Sequence, residues 1–276
     1  MLKIIQISTD DCMNPDILSA VRQAGFDGID IEFSKHFLDD AVWYDNSRRL
    51  QEVLERAELT AAQVHLPFYG IFVSSERYEE EMERKIRNAL KSMSVLGIKW
   101  GAFHPMSSTN YGYDPKRAMY DNTEKLKKYL ETAEQCNVGI AVENIPIFPD
   151  CPQYHFFTAD PEDHIALVDG LQSDHIGICW DFGHANLMPY DKKQVLERLG
   201  ERVKIVHIHN NFETYDLHLC PAIGSVDWQT LLPVLGGGHF SGPFSLEVKL
   251  ARANEALWND YLNFCGLAAD KLMKFL

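Results

Sequence analysis

Strand-like and helix-like segments alternate along the whole chain, and this alternation limits the possible folds more than any other feature of the sequence. Eight short segments are apolar and rich in β-branched residues, as is typical of buried strands: Ile4–Ser8, Gly28–Phe33, Ala62–Leu66, Trp100–His104, Gly139–Asn144, Ile176–Asp181, Val203–His209 and Phe244–Val248. A segment with helical spacing follows each of them. Repeated strand–helix units pair their strands in parallel through right-handed crossovers. We therefore expect an α/β fold, a (β/α)8 TIM barrel.

The length and the uniform composition favour one domain. A chain of 276 residues is close to the usual size of one eight-fold barrel. No Pro/Gly/Ser-rich linker and no change of composition divides it, so the predicted domain spans residues 1–276. No Gly-rich phosphate-binding motif follows the first strand, which disfavours an open dinucleotide-binding sheet.

Charge and cysteine content restrict the partners and the compartment. The formal net charge is −14 and the pI is about 5.2, which disfavours nucleic acid as a partner. The six cysteines are scattered without a CxxC pair, as is typical of reduced cytosolic proteins. The amino terminus resembles a first strand rather than a signal peptide, and no apolar stretch is long enough to span a membrane. We expect a cytoplasmic protein that does not bind membranes.

Polar residues end seven of the eight predicted strands. They are Glu32, His65, His104, Glu143, Asp181, His209 and Glu247. The carboxyl ends of barrel strands meet at one mouth, so these side chains should lie close together. Side chains alternate along a strand, which places small residues such as Ala141 and Cys179 beneath them. Glu32 could equally be a salt-bridged residue at the rim, and His207 lies deeper than His209, either supporting a ligand or filling the core.

Imidazoles and carboxylates together indicate the kind of ion that such a mouth would bind. This donor set suits Mn²⁺, Co²⁺, Zn²⁺ or Fe²⁺ better than a thiolate site would. Mg²⁺ is less suited because imidazole is a poor ligand for hard ions. Buried carboxylates at the ends of apolar strands also need a cationic partner. The sequence therefore predicts a divalent metal ion as the cofactor.

The motifs that surround these residues resemble those of the xylose isomerase-like barrel superfamily. This superfamily includes ketose 3-epimerases, inosose dehydratases and apurinic endonucleases of the endonuclease IV type (AP endonuclease family 2). The similarity covers the whole chain and follows the strand order, in these segments: 63–68 (QVHLPF), 103–105 (FHP), 143–144 (EN), 181–184 (DFGH), 207–210 (HIHN), 216–219 (DLHL), 224–228 (GSVDW) and 242–247 (GPFSLE).

The resemblance to the epimerases implies specific roles for these residues. One divalent metal would be held by Glu143, Asp181, His209 and Glu247. Glu143 and Glu247 would also be the catalytic pair, flanking a bound ketose and moving a proton at the carbon beside its carbonyl. His184 would steady a substrate oxygen. Tyr215 stands where the epimerases carry an arginine that assists substrate binding, which leaves the identity of the substrate open.

The resemblance to the endonucleases implies a different use of the same mouth. Their three-zinc site takes a wider set of ligands, and each position is filled here by a residue of the matching type: His65, His104, Glu143, Asp181, His184, His209, Asp216, His218 and Glu247. The acidic net charge and the lack of basic loops at the mouth weigh against binding to a DNA duplex. We therefore interpret His65, His104, His184, Asp216 and His218 as substrate-binding residues or as ligands of an additional metal.

The sequence as a whole predicts a metal-dependent isomerase or epimerase of a sugar, sugar phosphate or polyol. Three alternatives stay open. They are an inosose- or dehydroshikimate-type dehydratase with the same site, a zinc phosphodiesterase that acts on abasic DNA, and a carbohydrate-binding barrel without catalysis. The expected partner is a small carbohydrate or polyol, and homo-oligomer formation is left open.

Overall fold

Eight parallel strands form the barrel in the computed structural model, which describes residues 1–34, 36–68, 76–107, 113–148, 155–249 and 255–276. The strands are β1 (Lys3–Ser8), β2 (Gly28–Glu32), β3 (Thr60–His65), β4 (Trp100–Phe103), β5 (Gly139–Glu143), β6 (Ile176–Asp181), β7 (Val203–His207) and β8 (Phe244–Leu246). Their order in the sheet is β7-β6-β5-β4-β3-β2-β1-β8. Ile208, just beyond β7, pairs with Leu246 of β8 and closes the ring. The predicted (β/α)8 fold is confirmed.

Helices separate the strands as the sequence predicts. They are α1 (Pro15–Gln23), α2 (Trp43–Arg56), α3 (Glu76–Leu96), α4 (Pro115–Cys136), α5 (Pro161–Leu171), α6 (Phe182–Asn186), α7 (Lys192–Leu199), α8 (Trp228–Gly237) and α9 (Trp258–Leu272). Side chains of Asn14, Asp114 and Asp160 cap α1, α4 and α5, each of which opens with a proline. Among the described residues, no helix is both long and apolar enough to cross a membrane.

The short helix α6 is not predicted by the sequence. It begins directly after β6, and the Asp181 side chain caps it by accepting a hydrogen bond from the His184 backbone N–H at 2.6 Å. Five residues are too few to show a helical period, so this element cannot be recognised from the apolar pattern. The helix matters for the site because it fixes Asp181 and His184 relative to each other.

Two separate apolar regions hold the barrel together. The larger one lies between the strands and the surrounding helices. The smaller one lies inside the barrel and consists of Ala102, Ala141, Cys179 and Ile205, with Trp100 packed beneath them. Small side chains therefore lie beneath the mouth on the β4–β6 side, as predicted.

Candidate active site

Glu143, at the end of β5, lies at the centre of the polar mouth. Its Oε2 atom is 3.5 Å from Nε2 of His65, 3.3 Å from Nε2 of His104 and 3.4 Å from Nδ1 of His207. Its Oε1 atom is 3.1 Å from Nδ1 of His184. The Glu143 side chain is buried, so four imidazoles from separate parts of the chain surround one carboxylate away from water. The predicted convergence at the mouth is present.

We divide the potential metal ligands at the mouth into three donor groups. Within each group, one ligand atom from every residue lies within 4.8 Å of the others. The first donor group is His65, His104 and Glu143; the central donor group is Glu143, Asp181, His207 and Glu247; the outer donor group is His184, His209, Asp216 and His218. All nine residues proposed from the sequence fall in these groups, together with His207.

The central donor group differs from the predicted ligand set in one residue. His207, not His209, lies among the three carboxylates: its Nδ1 atom is 3.1 Å from Oε2 of Glu247 and 3.8 Å from Oδ2 of Asp181. The strand β7 ends at His207, and a register shift in its pairing with β6 sets Asp181 level with this residue. Spacing along one strand does not reveal such a shift, and the sequence had suggested only a supporting or core role for His207.

His209 belongs to the outer donor group instead. Its ring stacks on that of His218 with centroids 4.1 Å apart, and its Nε2 atom is 3.0 Å from the Asp181 carboxylate. Asp216 Oδ2 lies 2.8 Å from Nε2 of His218 and 3.5 Å from Nε2 of His184. Asp216 and His218 lie on the loop of residues 210–219 that follows β7. This loop returns to the mouth because Asn210 and Leu219 pair through two backbone hydrogen bonds of 3.0 Å. That pairing brings Asp216 and His218 to the site.

A side-chain amide aligns the ends of β5 and β6. Asn144 accepts a hydrogen bond from the Asp181 backbone N–H at 2.7 Å and donates one to the Asp181 carbonyl at 2.9 Å. The Thr158 hydroxyl donates to the Glu143 carbonyl at 2.6 Å. These bonds replace strand pairing where the ladder ends. They hold Glu143 and Asp181, two of the three carboxylates of the central donor group, in place.

Several buried polar atoms of the mouth have no hydrogen-bond partner within the described part of the chain. They include both Glu143 carboxylate oxygens, both His207 nitrogens, Glu247 Oε2 and Asp216 Oδ1. Buried polar groups are costly unless they are paired. Nearly all of these atoms face one another across the central and outer donor groups at 3–4 Å. A divalent cation would satisfy them together, so the residues present fit a metal.

The charges of the side chains at the mouth support the same conclusion. Burial lowers the pKa of His184, but the Asp181 and Asp216 carboxylates raise it well above its usual value. Burial raises the pKa of Glu143, but His207 and His104 hold it well below the usual range. The pKa of Asp181 falls to about 2, since His184 and His209 outweigh its burial. Protons on imidazoles therefore occupy the positions that a cation would take.

Gly183 allows His209 to approach α6, and this gives a first testable prediction. A Cβ atom at Gly183 would overlap the His209 imidazole. We expect Gly183→Ala to displace this ring and to lower the free energy of unfolding by about 1–3 kcal/mol. The matched control is Gly170→Ala in α5, where a Cβ meets no heavy atom within 4 Å. Urea unfolding that shows equal stability for the two variants would contradict the placement of His209.

Two other residues considered from the sequence lie at the edge of the mouth. Tyr215, which the resemblance to the epimerases places at the position of their arginine, is exposed. Glu32 is also exposed and belongs to none of the donor groups found among the described residues. Neither residue contributes to the buried cluster.

Comparison with known proteins agrees with the fold. Residues 18–265 match the family described as xylose isomerase-like TIM barrel. This match covers well over half of the chain, and the chain belongs to that family.

The individual relatives share only low sequence identity with this chain. The uncharacterized protein y4fM of Sinorhizobium fredii is 30% identical over 154 residues, which are 54% of this chain and 44% of that protein. The matched part thus spans less than half the length of this relative. The structure of a D-tagatose 3-epimerase-like protein superposes with a TM-score of 0.77 at 23% identity, covering 99% of this chain and 96% of the other. A D-psicose 3-epimerase from Clostridium cellulolyticum H10 superposes with a TM-score of 0.78 at 12% identity, covering 99% of each chain. At these identities the superpositions show the shared fold.

Proposed function

We propose that this chain is a divalent-metal-dependent isomerase or epimerase of a sugar, sugar phosphate or polyol. The observation that supports this most directly is the placement of two carboxylates from different strands around one point. Glu143 and Glu247 approach the same His207 nitrogen, Nδ1, at 3.4 and 3.1 Å. Such a pair of carboxylates, beside a site that withdraws charge from the substrate, can move a proton at carbon.

The central donor group would hold the metal. Glu143, Asp181, His207 and Glu247 would be its ligands, with His207 in the position that the sequence had assigned to His209. When bound there, the ion would polarise a substrate carbonyl and the neighbouring hydroxyl and so acidify the proton on the adjoining carbon. One imidazole and three carboxylates suit Mn²⁺, Co²⁺ or Zn²⁺ better than Mg²⁺.

The two carboxylates differ in surroundings, which suggests different roles. Glu143 is fully buried, and its carboxylate oxygens lie within 3.5 Å of nitrogens of four imidazoles. Glu247 retains 8% of its exposure, and the Gln6 amide donates to its Oε1 atom at 3.3 Å. We assign Glu247 as the base that removes the carbon-bound proton. Glu143 faces the same point from β5 and would exchange a proton on the opposite side of the substrate.

The proposed chemistry can be tested before the product is known. Ketoses and inososes incubated with the Mn²⁺- or Co²⁺-loaded protein in D₂O should include at least one compound that takes up deuterium at the carbon beside its carbonyl. Proton NMR would follow the loss of that signal. Glu247→Gln should slow the exchange by about 10²–10⁴-fold, the usual contribution of a general base. Exchange at the wild-type rate in this variant would show that Glu247 is not the base.

A second candidate function is a zinc phosphodiesterase that acts on abasic DNA. The specific observation in its favour is the presence of two donor groups beside the central one, since the isomerase mechanism proposed above uses a single metal. The net charge of −14 opposes binding to a phosphate backbone. Metal analysis and an abasic-duplex cleavage assay separate the two. Three zinc ions per chain with strand cleavage would support the nuclease; sugar turnover without cleavage would support the isomerase.

A further inference from the structure

A buried polar layer lies inside the barrel directly beneath the central donor group, on the β1–β3 and β8 side. It contains Asp30, Gln63 and Ser245, none of which is exposed to solvent. The Oδ2 atom of Asp30 accepts hydrogen bonds from the Gln63 amide at 2.6 Å and from the Ser245 hydroxyl at 2.7 Å. The same oxygen lies 3.4 Å from Nε2 of His207. Asp30 thus connects this layer to the mouth.

Burial of a carboxylate inside the barrel is energetically unfavourable, and packing alone does not require one there. The opposite half of the barrel interior is filled by small side chains such as Ala102 and Ala141. Among the described residues, His207 is the ionisable side chain that forms an ion-pair contact with Asp30. A buried carboxylate destabilises a protein unless it has charged or hydrogen-bonding partners. The position of Asp30 is therefore better explained by its effect on His207 than by packing.

The two nitrogens of His207 face different partners. Nε2 faces the Asp30 carboxylate, whereas Nδ1 faces the carboxylates of Glu247 and Glu143. Neutral imidazole carries a proton on one nitrogen and a lone pair on the other. If Nε2 holds the proton and points it at Asp30, the lone pair of Nδ1 points into the central donor group. This is the tautomer that binds a metal through Nδ1.

The Asp30 carboxylate is itself held in place from two sides. Gln63 on β3 and Ser245 on β8 both donate to the Asp30 oxygen that faces His207. The Gln63 amide also lies 3.5 Å from the Val206 carbonyl, next to His207 on β7. A register shift in the pairing of β2 with β3, between Ile29 and Asp30, sets Asp30 level with Gln63. Bulges of this kind re-aim side chains next to active sites.

We propose that Asp30 is a positioning residue that fixes the ring orientation and the tautomer of His207 for metal binding through Nδ1. Gln63 and Ser245 keep the carboxylate of Asp30 in the required position. This inference rests on the proposed metal-dependent function and adds a residue that lies one layer below the ligands. Removing a group that orients a metal-binding histidine typically changes metal affinity by about 10- to 100-fold.

The test compares cobalt binding in matched variants. Asp30→Asn retains the size of the side chain and an acceptor oxygen but loses the charge that favours a proton on Nε2. We expect its affinity for Co²⁺ to fall by about 10- to 100-fold, with a changed visible absorption spectrum of the bound ion. The control is Ser47→Ala, which removes a buried hydroxyl in α2 that bonds to Ser92, away from the mouth. It should bind Co²⁺ as the wild type does.

The outcomes separate this inference from the proposed function. A wild-type protein that binds no Co²⁺ would overturn both. If the wild type binds Co²⁺ and Asp30→Asn binds it with equal affinity and an identical spectrum, only the role of Asp30 would be overturned. If Asp30→Asn does not fold, NMR of the wild-type protein still tests the tautomer of His207. In the Zn²⁺ complex labelled with ¹⁵N-histidine, the resonances missing from a His207→Gln variant should show a proton on Nε2 and none on Nδ1. The opposite tautomer would overturn the proposal.

Discussion

Replacing Glu143 with glutamine should reduce turnover by about 10³-fold or more, because this carboxylate belongs to both the first and the central donor group. The amide preserves the size of the side chain but offers a neutral oxygen, which binds a divalent cation weakly. It also removes the negative charge that the four surrounding imidazoles face. We expect weaker metal binding together with the lost turnover.

The measurement is the rate of deuterium exchange or isomerisation at saturating metal, with metal content determined on the same samples. Glu131→Gln provides a matched control, since Glu131 is exposed on α4 and the same chemical change there is remote from the mouth. It should behave as the wild type. A Glu143→Gln variant with normal metal content and normal kcat would contradict the central position of this residue.

Removal of the metal should abolish turnover and also reverse the way in which stability depends on pH. In the metal-free protein, the pKa values of His184 and His207 lie well above the usual value of 6.5. Groups with a raised pKa contribute stability that is complete below their unfolded pKa and is lost as the pH rises through the folded value. Stability of the metal-free protein should therefore decline as the pH rises above about 6.5.

The metal-loaded protein should show the opposite trend over the same range. Metal ions compete with protons for imidazole nitrogen, so the affinity increases as the pH rises, and stability increases with it. Thermal unfolding from pH 6 to pH 9, after chelation and after reloading with Mn²⁺ or Co²⁺, would show the two trends. Chelated protein that keeps its turnover, or parallel stability curves for the two forms, would argue against a metal at the mouth.

Carboxylates set the lower limit of the pH range in which the folded protein is stable. The pKa values of Glu143 and Asp181 are lowered, by His207 and His104 in the first case and by His184 and His209 in the second. Their contribution to stability is present above the usual carboxyl pKa and is lost as the pH falls through the folded values. Both forms should therefore lose stability in strong acid.

The fold follows from the sequence because the pattern that specifies it is local and repeated. Each apolar run and the amphipathic segment after it are visible within about 30 residues, and eight repeats leave little choice of topology. The strand ends also identify most of the mouth, since Glu143 and Asp181 are the last residues of buried strands. Period-2 alternation correctly places Ala141 and Cys179 beneath them.

The parts that the sequence does not predict depend on register. His207 and Asp30 take their positions from shifts in strand pairing that leave no trace in spacing along one strand. A signal for Asp30 was present nevertheless. Both faces of a barrel strand are covered, so a charged residue inside the run Gly28–Glu32 must meet a buried partner. The division into outer and central donor groups likewise depends on the path of the loop that carries Asp216.

The location of bound metal tests the central claim most directly. Crystals of the Mn²⁺-loaded protein, measured with anomalous scattering, should show a peak bonded to Glu143, Asp181, His207 and Glu247. Such a peak would establish that residues from four strands share one ion above the Asp30 layer. The absence of any anomalous peak at the mouth, in a protein that catalyses proton exchange, would contradict it.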